Sequence, residues 1–135
     1  MTLFLLLTRL RRYFTCTGWD ERFLVTNNVA QEQAIEYGGA PGYFGGWISH
    51  AEVSHNTVSD AGYSGLSQGW GWGSAHAPGF GNVTITHNKI RNVMTKMRDG
   101  GGIYLNGDTN AVYTNTLAHN WVDADENVFG AYHSM

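Results

Sequence analysis

The chain has a single cysteine, Cys16, so no internal disulfide can staple it, and no Cys/His spacing matches a zinc site. Proline stops at 2 residues, and 14% of the 135 residues are charged, against roughly a quarter in an average soluble domain. The apolar patch Leu3 to Leu7 falls far short of the ~20 residues a spanning helix needs. It also precedes Arg9, Arg11 and Arg12, the reverse of the basic-then-apolar order of a secretory signal. With 8 basic and 11 acidic residues, net −3, no electrostatic footprint for nucleic acid or an anionic membrane is present. What the chain has instead is 18 glycines, frequent asparagine, 42% hydrophobic and 13% aromatic residues. That mixture disfavours both a helical bundle and a disordered chain. A turn-rich all-β domain remains.

Its organisation lies in a repeat. Val53-Ser-His55-Asn56-Thr-Val58 recurs as Ile85-Thr-His87-Asn88-Lys-Ile90 and as Leu117-Ala-His119-Asn120-Trp-Val122, each 32 residues after the last. An earlier copy, Val25-Thr-Asn27-Asn28-Val-Ala30, stands 28 residues before the first of these. Each copy predicts two short strands meeting at a corner, with Asn in the left-handed conformation of the bend. Downstream of the corners come glycine-led strands at Gly65-Leu-Ser-Gln, Gly102-Ile-Tyr-Leu and Gly130-Ala-Tyr-His. Three strands per period, with alternating Val83, Thr84, Ile85 and Thr86, predict a parallel β-solenoid of about four coils over residues 25–135. Stacking places Val53, Ile85 and Leu117 in one column, and Val58, Ile90 and Val122 in another. A third column is an amide ladder of Asn56, Asn88 and Asn120. His55, His87 and His119 then stack ring above ring, a parallel arrangement unlike the converging ligands of a zinc site, so no metal site is expected. Residues 1–24 form a separate N-terminal segment, either foreign to the fold or a short capping helix along Leu3, Leu6, Leu7 and Leu10.

From about Val25 onward the chain resembles right-handed parallel β-helix proteins of the pectin-lyase-like superfamily, and most closely β-helix glycoside hydrolases of the fucosidase/xylanase type. The segments that carry the resemblance are Tyr63-Ser-Gly-Leu-Ser-Gln-Gly-Trp-Gly-Trp-Gly73 and Asp99-Gly-Gly-Gly-Ile-Tyr104, with Glu36-Tyr37, Ala40-Pro41-Gly42 and Gly45 before them. The resemblance implies a polysaccharide or oligosaccharide partner, no required cofactor, and a secreted or periplasmic location. Relatives are longer and carry an acidic residue after the strand matching Gly130 to His133, where this chain reads Ser134-Met135. The chain is therefore expected to be a fragment, monomeric if complete and prone to aggregate at its open strand edges if cut.

Asp99 is the candidate catalytic carboxylate, one of the two that glycoside hydrolysis generally needs. The alternative is that Asp99-Gly100 is a plain turn. Trp70 and Trp72 share one face of an extended segment and suit the apolar faces of sugar rings, unless they only seal the core. Tyr63, Gln68, His76 and Tyr104 are candidates for sugar hydroxyls. Two further functions stay open. A polysaccharide lyase would use calcium at Asp123, Asp125 and Glu126 and a base among Arg91, Lys96 and Arg98. A non-catalytic solenoid would bind glycan or only build a surface.

Overall fold

The computed structural model describes residues 20–46, 48–69, 81–106 and 114–123. Among them are 13 short β-strands and no helix. In chain order they are β1 (Asp20–Glu21), β2 (Leu24–Thr26), β3 (Val29–Gln31), β4 (Tyr43–Gly45), β5 (Ile48–Ser49), β6 (Glu52–Ser54) and β7 (Thr57–Ser59). The remainder are β8 (Leu66–Gln68), β9 (Thr84–Thr86), β10 (Lys89–Arg91), β11 (Ile103–Leu105), β12 (Thr116–Ala118) and β13 (Trp121–Asp123). Every named pairing is parallel, and no strand pairs with its neighbour in sequence. Three larger sheets result, ordered β2-β6-β9-β12, β3-β7-β10-β13 and β4-β8-β11, beside the short pair β1-β5, which Gly81 extends by a bridge to Ser49. Four successive layers of chain therefore lie on one another. The segment 1–24 contributes β1 and the start of β2 to the first of them, while the proposed helix along Leu3 to Leu10 lies outside the described residues.

The register is that of the repeat. Val25, Val53, Ile85 and Leu117 are successive partners, as are Ala30, Val58, Ile90 and Val122. These are the inward positions. Val53, Val58 and Ile90 are at most 1% exposed, and Leu66, Val83, Ile85 and Val93 complete the centre of the core. Burying one such side chain contributes about 1.5–3 kcal/mol, which strands of three residues need because each makes so few ladder bonds. The outer layers are open: Leu117 and Val122 continue the same columns yet are 51% and 43% exposed.

The corner differs from the sequence expectation in one respect. The left-handed residue is the one before the ladder asparagine: Asn27, His55, His87 and His119 have φ between 56° and 58° or one degree below. Asn28, Asn56, Asn88 and Asn120 are not among the positive-φ residues. The asparagine side chain is occupied by the ladder, so the exposed residue beside it takes the bend. Two further left-handed columns mark the other ends of the short strands, at Arg22, His50 and Asn82 and at Glu32, Asp60 and Asn92. Each layer thus bends where a short strand has just ended.

The amides saturate one another. Asn56 Nδ2 donates to Asn88 Oδ1 at 2.9 Å and to the Val25 carbonyl at 2.9 Å. Asn56 Oδ1 accepts from Asn28 Nδ2 and from the Asn28 backbone N–H, both at 3.0 Å. Asn88 repeats the pattern, donating to Asn120 Oδ1 and the Val53 carbonyl while accepting twice from Asn56. Both protons and both lone pairs are used, which is what lets a polar side chain sit 1% exposed at the core edge.

Glycines leading β4, β8 and β11 are a steric requirement of this stacking. A Cβ on Gly42 would strike Val58, one on Gly102 would strike Val122, and one on Gly65 would lie 2.5 Å from Ile90 Cγ2 and 2.7 Å from the Gly102 carbonyl. Each glycine in one layer makes room for the inward aliphatic side chain of the next.

Candidate functional site

The β4-β8-β11 sheet has two faces. Tyr43, Leu66 and Ile103 pair in register and point to the core, as do Gly45, Gln68 and Leu105. Phe44, Ser67 and Tyr104 lie between them on the other face, where Ser67 is itself buried. Phe44 is half exposed and Tyr104 partly so. The connection into β11, residues 92–102, carries Asp99. Gly100 packs where a Cβ would meet Ser64 Oγ and come within 2.8 Å of the Tyr63 ring, and the Gly101 N–H donates to Ser64 Oγ at 3.2 Å. The buried Ser64 hydroxyl thereby fixes the glycine run behind Asp99.

Asp99 itself is exposed. Its carboxylate is felt by Tyr63, whose phenol is held above its ordinary range first by partial burial, then by the charges of Asp99 and Tyr104. An exposed carboxylate and two partly buried phenols therefore lie within electrostatic reach of one another at the surface. Chemically that surface offers hydrogen-bond acceptors and donors for hydroxyl groups and, at Phe44 and Tyr104, apolar ring faces.

Gln68 belongs elsewhere. It is fully buried, Tyr43 Oη donates to its Oε1 at 3.4 Å, and its Nε2 has no hydrogen-bond partner among the described residues. Placed on the inward face of β8, it does not share the outer surface with Tyr104. Alternation explains this, since Ser67 rather than Gln68 is in register with Phe44 and Tyr104. Burial also pushes the Tyr43 phenol up to about 12. Trp70, Trp72 and His76 lie outside the described residues, as do Asp125 and Glu126.

The histidine column forms as the period requires. Ring centroids of His55 and His87 are 4.9 Å apart with planes 3° from parallel, and those of His87 and His119 are 5.1 Å apart at 26°. All three are exposed at the corner. Among the described residues no group of three His, Cys, Asp or Glu side chains converges as a metal site. Of the candidate bases, Lys96 is engaged: its Nζ donates to the carbonyls of Ala34 and Ile35, tying the loop of the third layer to that of the first. Asp123 ends β13, in register with Arg91 at the end of β10.

Sequence reasoning missed Phe44 and Ser64. The signal for Phe44 was present in Gly42-Tyr-Phe-Gly45, which has the same glycine-led form as the segments at Gly65 and Gly102. Ser64 carried none, because its role comes from a loop folding back from another layer. Comparison with known proteins adds no neighbour: no family model, no curated protein and no solved structure matches the chain.

Proposed function

We propose that the four layers wind as a right-handed parallel β-helix of the pectin-lyase-like kind, and that the outward side of β4, β8 and β11 takes carbohydrate. In this reading the protein is a β-helix glycoside hydrolase, or part of one. Asp99 is one of the two carboxyl groups that protonate the leaving oxygen and activate water or attack. Phe44 and Tyr104 carry the sugar ring, with Tyr63 beside the carboxylate, and Trp70, Trp72 and His76 extend the same surface. The observation that supports it best is the nearness of Asp99 and Tyr104 to Tyr63, whose ring packs against Gly100. The reaction as proposed needs no metal or cofactor.

The test is titration of the chain with neutral oligosaccharides by calorimetry, followed by product analysis. The proposal expects binding that Tyr104→Ala weakens at least tenfold, and calcium-independent hydrolysis, where turnover occurs, that Asp99→Asn abolishes. Calcium-dependent formation of an unsaturated uronate would make the protein a lyase instead. Binding without turnover that survives Asp99→Asn, in a chain carrying both carboxyl groups, would make it a glycan-binding solenoid. Binding unaffected by Tyr104→Ala would remove the site from this surface.

A further inference from the structure

We propose that Met94 is an oxidation site, and that adding an oxygen to its thioether releases the Asp99-Gly100-Gly101 segment from Ser64. Met94 lies in the connection from β10 to β11, the one that carries Asp99, and has a left-handed φ of 63°. Its backbone N–H donates to the Tyr63 carbonyl at 2.9 Å, which holds it against the second layer. Its side chain is partly buried, packed against the core with part of its surface open to solvent. There the sulfur meets Ser64 and Gly100. The Ser64 hydroxyl donates to Sδ at 3.9 Å, and a Cβ on Gly100 would lie 2.9 Å from the same sulfur. Ser64 Oγ, in a residue that is 0% exposed, in turn accepts the Gly101 N–H at 3.2 Å. Thioether, hydroxyl and glycine amide thus form a chain in which each group places the next.

A hydroperoxide is the oxidant this chemistry takes. The sulfur lone pair attacks one peroxide oxygen, the S–O bond forms as the O–O bond breaks, and the other oxygen leaves as water or an alcohol, taking up the proton. The thioether, a weak acceptor at home against apolar groups, becomes a strongly polar sulfoxide. The space around it is wrong for that group. The Gly100 side has no room for even a Cβ, and an oxygen placed between Sδ and Ser64 Oγ would crowd a gap of 3.9 Å. Polarity draws the head of the side chain away from the core towards water. Ser64 then loses its acceptor, and its hydroxyl can turn from the Gly101 N–H. Met97 is a control within the same connection: it is 42% exposed, and its own N–H donates to the Gly62 carbonyl at 3.0 Å. Any consequence for sugar binding rests on the carbohydrate reading above; the release of the segment does not.

Treatment of the full chain with hydrogen peroxide tests this, with peptide mass mapping and residue-resolved amide hydrogen exchange as readouts. Met97 is expected to gain oxygen first, with exchange at Gly101 unchanged. Met94 is expected to follow, with exchange at Gly101 rising severalfold while the Asn56 and Asn88 amides keep their protection. Met94→Leu should hold Gly101 at the parent level with or without peroxide, and Met97→Leu should remain sensitive. Ser64→Ala, which removes the middle group, is expected to raise Gly101 exchange before any peroxide is added. Methionine sulfoxide reductase should restore protection in the oxidised parent chain. Three outcomes would overturn the proposal: Met94 sulfoxide with Gly101 still protected, Met94 unmodified once Met97 is fully converted, or a peroxide effect on Gly101 that persists in Met94→Leu. Oligosaccharide binding that is unchanged while Gly101 is released would count against the carbohydrate reading of Asp99 and leave the Met94 site standing.

Discussion

Two connections in this protein solve opposite problems. The corner between the β2-β6-β9-β12 and β3-β7-β10-β13 sheets is two residues long in all four layers, with a left-handed residue followed by a ladder asparagine. The connection from the second sheet to the third runs from Glu32 to Gly42, from Asp60 to Gly65 and from Asn92 to Gly102, much shorter in the second layer than in the first and third and packed differently each time. The first is held by bonds that recur from layer to layer, so any change is felt above and below. The second is held by contacts made once, such as Lys96 on Ala34 and Ile35 or Ser64 on Gly101, and is therefore free to carry a site. Periodicity builds the frame, and its interruption supplies the chemistry.

The sharpest way to break the comparison is at the centre of the ladder. Asn88→Leu strands the Asn56 backbone N–H and one Asn56 Nδ2–H at the core edge, removes the Asn88 partner of the Val53 carbonyl and leaves Asn120 Oδ1 only the backbone N–H of residue 88. A loss of about 3–5 kcal/mol in denaturant unfolding is expected. The same change at Asn120, on the open layer, is expected to cost less than half as much. Equal losses at the two positions would mean that the ladder is not what distinguishes inner from outer layers.

Gly65→Ala tests the steric half of the frame. Its Cβ would meet both a side chain and the Gly102 backbone carbonyl, which cannot rotate away, so about 2–3 kcal/mol is expected. A neutral result would show that the layers can slide apart locally.

Tyr43, inward on β4, gives a pH test. Its phenol is held neutral by burial up to about 12 in the folded chain, against a value near 10 when unfolded. Its contribution is therefore complete below pH 10 and is lost as pH rises towards 12, on the order of 2 kcal/mol. Tyr43→Phe should flatten that alkaline decline. Asp60 gives the opposite sign at the acid end. Hydrogen bonds, first from Asn92, hold its carboxyl below the ordinary range, so that contribution is present at neutral pH and fades as pH falls through the folded-state value. The smallest effect belongs to the variable connection: Asp99→Asn, exposed and outside the ladder, should shift stability by less than about 0.5 kcal/mol.

The frame was legible because it obeys a fixed interval. Val53, Ile85 and Leu117, or Asn56, Asn88 and Asn120, can be aligned from the chain alone, and spacing then implies stacking. The sequence points to the bend one residue late, because asparagine tolerates left-handed φ well and its competing use as a doubly bonded amide is visible only once layers are paired. Gln68 passes in the sequence for a group that could meet sugar hydroxyls because its segment has no apolar-polar alternation to give the inward face away: β8 is Leu-Ser-Gln, buried throughout. The surroundings of Asp99 depend on Ser64 and Tyr63, brought from a neighbouring layer by a loop whose length follows no period. No spacing rule reaches them.

The central claim is that residues one period apart lie directly above one another. Paired cysteines at the exposed corner test it most simply, in a Cys16→Ser background. His55→Cys with His87→Cys places the two residues one layer apart, near the ~4.8 Å strand spacing and within the ~4.4–6.8 Å Cα separation a disulfide spans. His55→Cys with His119→Cys places them two layers apart, about twice as far and out of reach. The stacked arrangement predicts rapid intramolecular bridging under mild oxidation in the first pair and none in the second. Free thiols in the first pair, or equal bridging in both, would contradict it.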